Sequence, residues 1–278
     1  MTVIAMTREM GTRGKDIATG VAETLGLEVV HHELVEQHVA ERMDLSENAV
    51  HRFLEGEASL WERWKIDSRR LSQFTSQEIL ERAIKGNVII RGWGAAQLLR
   101  SIPHLICVRV CAPMRYRTAE MMGRLGVDDE FVARREIERS DAAHARVIEA
   151  RFNRDWRNPT GYDMVINTGF VSISFGIHML CEYAQSIDAE DVGEMAASLK
   201  DKLLEERVRT IAETARDIAT VGGDLEVSVS DGAVTLSGMV ENTSGLSALT
   251  QKIEDLDGVK SVTMEIGTLP ASFAAYGP

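Results

Sequence analysis

Cysteine is scarce in this 278-residue sequence: three occur, Cys107, Cys111 and Cys181, none in a Cys-x-x-Cys pair. That excludes a disulfide framework and a thiolate metal cluster. Cys107 and Cys111 lie inside the apolar run Leu105 to Ala112, so they read as small buried hydrophobes in a reducing compartment. No run approaches the ~20 apolar residues of a membrane span. Nor does the chain open with a basic region and a longer apolar stretch, so neither a transmembrane segment nor export is expected, and the predicted location is cytoplasmic. Positive charge is in deficit as well: 31 Lys+Arg against 43 Asp+Glu give a formal net charge of -12. That balance argues against nucleic acid or anionic lipid as a non-specific partner. With 44% apolar and 27% charged residues the chain is ordinary for a globular protein, and its length points to two domains rather than one.

What is present is an alternation of short apolar runs and helical spacing. Thr2 to Met6 stops at a Gly-bearing turn, and Asp16 to Leu25 then shows helical spacing through Ile17, Val21 and Leu25, closed by Gly26. Leu27 to Val30, Val88 to Ile90, Leu105 to Cys111 and Tyr162 to Asn167 are further strand candidates. Between them Glu33 to Lys85 is helical with breaks near Asp44 and Gly56. Helices also follow Arg91-Gly92-Trp93-Gly94 through Leu99, follow Pro113, cover Asp128 to Asp155, and run through Tyr183. This predicts an α/β fold, a doubly wound parallel sheet with Leu105 to Cys111 as a central strand, over residues 1–190. Ser186 to Gly193 reads as a linker. The remainder is α-β-β-α-β: a helix over Leu203 to Ala219, strands at Leu225 to Val229 and Ala233 to Leu236 around Asp231-Gly232, a helix over Ser244 to Leu256, and a strand at Ser261 to Ile266. Asp-Gly between alternating segments is a hairpin signal. A small α+β domain over 198–269 and a tail over 270–278 are expected.

The first strand-to-helix loop is Thr7-Arg8-Glu9-Met10-Gly11-Thr12-Arg13-Gly14-Lys15. Such a loop aims backbone N–H groups and the positive end of a helix at one point, which suits phosphate. Gly11 and Gly14 permit close approach, and Lys15 would stand beside the outer phosphates, as in a P-loop. The pattern G-x-x-x-x-G-K-[ST] is not met, because Glu9 occupies the first Gly position and Asp16 the Ser/Thr position. A nucleotide cradle is assigned to Gly11, Thr12, Arg13, Gly14, Lys15 and Asp16, with Asp16 as the metal candidate. A plain strand-to-helix turn is the competing reading. Farther on, Arg134, Arg135, Arg139, Arg146, Arg151, Arg154 and Arg157 gather positive charge in an acidic chain. Either they serve an anionic ligand or they form a solvated helix laced with i, i+4 pairs.

The loop resembles the opening of the cytidylate kinase-like family. The resemblance continues through Leu25-Gly-Leu-Glu-Val-Val-His-His-Glu-Leu, Asn87-Val-Ile-Ile-Arg-Gly-Trp-Gly-Ala-Ala-Gln-Leu-Leu, Val110-Cys-Ala-Pro-Met-Arg-Tyr-Arg, and Asp155-Trp-Arg-Asn-Pro-Thr-Gly-Tyr-Asp-Met-Val-Ile-Asn-Thr. It covers the first two thirds of the chain, most poorly at Leu45 to Ser76. It implies a P-loop-type sheet with a helical lid, ATP and Mg²⁺ as cofactors, and phosphoryl transfer to CMP, dCMP or a similar small acceptor. By the same resemblance Lys15 and the N–H groups of Gly11 to Lys15 hold the donor phosphates. Arg91 contacts the acceptor, and Arg139, Asp141 and Arg146 belong to the lid. Departures from the family pattern are Arg13 at a position often held by Gly, Asp16 in the region of the Mg²⁺-holding hydroxyl, and His144 where the lid motif Asp-x-x-Arg has arginine. An aspartate at position 16 would either ligate Mg²⁺ or repel phosphate. The alternative function is a catalytically weak or inactive nucleotide-binding regulatory protein. Arg109 reads as a strand-end charge or an inter-domain ion pair, and His31 and His32 as surface or satisfied histidines at a strand end. Trp93 and Trp156 fit either a stacked base or a core.

The segment Leu225-Glu-Val-Ser-Val-Ser-Asp-Gly-Ala-Val-Thr-Leu-Ser-Gly-Met-Val, with Leu256-Asp-Gly-Val-Lys-Ser-Val-Thr-Met-Glu-Ile, resembles a BON domain. That implies a regulatory or interaction module, through which the chain self-associates or meets a protein partner; a passive stabilising extension is the competing reading. It contributes no catalytic constellation.

Overall fold

The computed structural model describes residues 1–30, 32–54, 68–92, 94–215 and 217–268. The expectations for His31, Trp93, the break near Gly56 and the tail over 270–278 lie outside the described residues. By its internal contacts the chain divides into Met1–Met195 and Ala196–Pro278.

The first unit contains β1 (Val3–Arg8), α1 (Gly14–Leu25), β2 (Glu28–Val30), α2 (His32–Met43), α3 (Glu47–Leu54), α4 (Ser68–Lys85), β3 (Val88–Arg91), α5 (Ala95–Leu98), β4 (Ile106–Cys111), α6 (Met114–Leu125), α7 (Glu130–Phe152), β5 (Met164–Asn167) and α8 (Ile173–Gln185). Its sheet has the order β2-β3-β1-β4-β5 and is parallel throughout. Strand β1 is the middle one, and β4, expected as a central strand, lies beside it in the interior of the sheet. Helices α1 and α8 cover one face, where Ile4, Met6, Ile17, Val21, Ile89, Val108 and Leu180 are fully buried. The break at Asp44 is a residue with φ 55°, after which α3 begins.

Helix α7 starts where Asp129 accepts a hydrogen bond from the Phe131 N–H at 2.8 Å, satisfying one of the orphan donors of the first turn. It ends at Asn153, in the left-handed region with φ 50°. The expected linker is shorter than predicted, because α9 (Ala189–Thr214) runs through Gly193. Asp188 caps it, accepting from the N–H groups of Glu190 at 2.9 Å and Asp191 at 3.0 Å. The acidic residues of that stretch thus form a cap and a first turn.

In the second unit, α9 is followed by β6 (Glu226–Ser230), β7 (Ala233–Val240), α10 (Leu246–Glu254) and β8 (Ser261–Thr268). The hairpin turns at Asp231 and Gly232, with φ 48° and 75°, and their N–H groups donate to the Asp201 carboxylate at 2.7 and 3.0 Å. β8 pairs in parallel with β7 after the α10 crossover, giving the order β6-β7-β8. Leu204, Val208, Val234, Leu236, Leu249 and Ile253 close a core of their own.

Candidate active site

The loop after β1 is shaped by two left-handed residues, Gly11 with φ 77° and Arg13 with φ 58°. At Gly11 only glycine fits, since a Cβ there would lie 2.7 Å from the Arg117 carbonyl oxygen. Arg13 adopts the conformation against its own preference, which is why glycine is the easier residue there. The Thr12 hydroxyl donates to the Glu9 carbonyl at 2.8 Å, and the Thr168 hydroxyl donates to the Thr12 carbonyl at 2.8 Å. The loop is thus fixed through its carbonyls. Among the described residues no group accepts a hydrogen bond from the N–H of Gly11, Thr12 or Arg13, which lead into α1, or from that of Lys15 in its first turn. Alternating backbone hands with unused N–H groups at a helix start form a concavity that suits an anion. Lys15 is exposed beside it.

Glu9 does not face that concavity. Its carboxylate is buried, 2.5 Å from Arg109 Nη2, 3.4 Å from Arg117 Nη1 and 3.3 Å from the Ala112 N–H that donates to it. The departure from glycine at this position therefore puts no charge against a phosphate; it roots the loop in β4 and α6. Arg109 is an ion pair within the first unit, correcting the strand-end and inter-domain readings, and it also donates to the Arg157 carbonyl at 3.0 Å. The sequence held a signal for this pair, two charged residues in otherwise apolar runs, but nothing in one dimension joins positions 9 and 109.

Arg117, unremarked in the sequence, is the centre of the cluster. Its Nε donates to the Met10 carbonyl at 2.6 Å and its two terminal nitrogens fork onto Asp141 at 2.9 and 2.7 Å. Asp141 also has Arg157 at 3.6 Å. Trp156 is buried beneath, with the guanidinium groups of Arg109 and Arg157 over its ring at 5.5 and 5.7 Å. The His144 ring lies 4.5 Å from it. His144 as a whole is half-buried, but its Nε2 is enclosed and has no hydrogen-bond partner among the described residues. Burial pushes its pKa down to about 4, against the attraction of Asp141 and with a smaller push from Arg8.

The other site candidates lie on the loop, on β3 and on α7. Asp16 is half-exposed and ion-paired with Arg13 at 2.8 Å. Arg91 is buried at the end of β3. Arg139 lies on the outer face of α7, 2.8 Å from Glu136, and the exposed Arg146 donates to the Ala142 carbonyl at 3.3 Å. The structure keeps Gly11 to Asp16 on one loop and turns Asp141 inward onto Arg117. No group of three or more His, Cys, Asp or Glu residues suited to a metal occurs among the described residues. The Cys107 thiol is inert, its pKa raised to about 12 by burial.

A five-stranded parallel sheet with a Gly-bearing loop between its middle strand and the first helix defines a doubly wound α/β domain. The chain belongs to the cytidylate kinase-like family, whose sequence model matches residues 3–169, and residues 200–268 match the BON domain. Among curated proteins it is similar to the cytidylate kinase of Pyrobaculum islandicum, 23% identical over 66% of this chain and 92% of that one. The cytidylate kinase of Pyrobaculum aerophilum is 24% identical over the same shares. A solved structure of an uncharacterized protein from Eubacterium ventriosum has the same fold, with a TM-score of 0.53 and 20% identity, covering 67% of this chain and 99% of that one.

Proposed function

We propose that the first unit is an ATP-dependent phosphotransferase that passes a phosphoryl group to CMP, dCMP or a similar small acceptor. The observation that carries this reading is the loop at Gly11 to Lys15, with unused N–H groups, a glycine that admits no Cβ, and a lysine at the helix start. ATP fits such a cradle and would supply the transferable phosphoryl group. The chain's part is then electrostatic: the loop N–H groups and Lys15 neutralise donor phosphate, Arg91 meets the acceptor, and Arg139 and Arg146 bring cations from α7. Asp141 acts through Arg117 rather than on substrate. Asp16 is the residue that would hold Mg²⁺, in exchange for its ion pair with Arg13.

Two observations favour the second reading, a nucleotide-binding regulator with weak or no transfer. Asp16 is engaged by a cation, and His144 is neutral at physiological pH where the lid motif would supply a charge. Under either reading the BON-like unit is an interaction or regulatory module, serving self-association or a protein partner. The chain acts in the cytoplasm without nucleic acid; among the described residues no helix is long and apolar enough to cross a membrane.

Incubation with ATP, Mg²⁺ and a panel of nucleoside monophosphates separates the readings, since transfer forms ADP. Silence across the panel with ATP still binding in calorimetry selects the regulator. In Lys15→Ala ATP affinity falls at least tenfold, a loss of about 1.4 kcal/mol; unchanged affinity removes the cradle from the proposal.

A further inference from the structure

We propose that Arg117 is a positioning residue that makes the shape of the loop at Glu9 to Arg13 depend on the seat of α7. The inference rests on the phosphate-binding reading of that loop. One guanidinium holds both elements: its Nε takes the Met10 carbonyl at 2.6 Å, and its terminal nitrogens take both oxygens of Asp141 on α7 at 2.9 and 2.7 Å. A planar fork satisfied on two sides cannot rotate toward one partner without leaving the other.

Three further contacts point the same way. The Glu9 carboxylate closes on Arg117 at 3.4 Å and on Arg109 at 2.5 Å, so two anions and two cations are buried together and balance one another. The Arg117 carbonyl is the atom that a Cβ at Gly11 would meet, so side chain and backbone of one α6 residue both bear on the loop. Finally, the Met10 side chain packs onto the small core formed by Met121 of α6 with Ala133 and Ile137 of α7. Met10 is therefore held from its carbonyl by a charge and from its side chain by apolar contact, each leading to α7. Displacing α7 would leave Arg117 and Glu9 buried without full compensation, so the loop must follow. By reciprocity, phosphate that fixes the loop also fixes α7.

Amide hydrogen exchange on the full chain tests this. Asp141→Asn keeps the side-chain shape and removes the charge. If Arg117 links the elements, exchange at the Glu9 and Ile17 amides, which donate to Val110 and Arg13 carbonyls and flank the loop, quickens about tenfold relative to Ile90 in β3. ATP slows exchange over 137–144 in the unmodified protein and fails to do so in Asp141→Asn. Arg117→Lys, which keeps the charge but cannot fork, behaves as Asp141→Asn does and serves where the first variant folds poorly. The surface variant Glu138→Ala changes neither. Rates at Glu9 and Ile17 that stay at the unmodified values in both Asp141→Asn and Arg117→Lys overturn the proposal. Absence of ATP binding in the unmodified protein, with the unliganded exchange still responding to Asp141→Asn, sinks the phosphate reading and leaves the linkage standing.

Discussion

His144 carries the clearest pH signature at the scale of single residues. Its folded pKa of about 4 lies below the ordinary 6.5, so the unfolded chain binds the proton more readily. Stability is fully present above pH 6.5 and is lost as pH falls toward 4, by roughly 3 kcal/mol from this one group. In His144→Leu, which also removes a buried nitrogen that has no partner among the described residues, the decline of urea midpoint between those pH values becomes shallower than in the unmodified protein. A parallel decline in both proteins would show that the enclosed imidazole titrates normally. Glu9 is the second case. With Arg109 and Arg117 buried against it, Glu9→Gln leaves guanidinium charge uncompensated and is expected to cost roughly 3 kcal/mol in urea unfolding. The exposed Arg134–Glu138 pair, screened by solvent, contributes far less. The sequence made Glu9 conspicuous as a misfit in a glycine pattern. It did not show which way the side chain turns, because that depends on cations about a hundred positions away.

Elements were more legible than their arrangement. Each of the five strands of the first unit coincides with an apolar run, and α7 with its charged stretch, because burial period and capping residues are local properties. β4 is interior, as its continuous apolar run implies, but the order β2-β3-β1-β4-β5 rests on pairings between distant strands that no local property ranks. Arg117 escaped notice for a similar reason: on α6 it is one arginine among Arg115, Arg117 and Arg124, and only the packing of α7 against α6 separates the buried one. The strand-to-helix loop itself allows a sharp test. Gly11→Ala must place a Cβ against a backbone carbonyl at 2.7 Å, an atom that cannot swing away, at a φ of 77°. We expect strain of about 1–3 kcal/mol, read as a lower melting temperature together with weaker ATP binding in calorimetry. An alanine accommodated with neither change would mean that the loop relaxes freely and is not pre-shaped for an anion.

At the scale of the whole molecule, the residues that shape the loop, from Glu9 through Arg109, Arg117 and Asp141 to Thr168, all precede Met195, while the second unit closes a separate core around Leu236. If the second unit is only an appended module, its loss leaves the cradle intact; if it reports on nucleotide, its loss changes the affinity. Leu236→Asp in the full chain separates these, because a carboxylate placed at a fully buried position costs several kcal/mol and unfolds that small core. Calorimetric unfolding should then lose the part of its heat that belongs to Ala196–Pro278. The appended-module reading expects the ATP dissociation constant to match that of the unmodified protein. A shift of tenfold or more, about 1.4 kcal/mol of coupling, would instead assign the second unit a share in nucleotide binding and favour the regulator over the free-standing phosphotransferase.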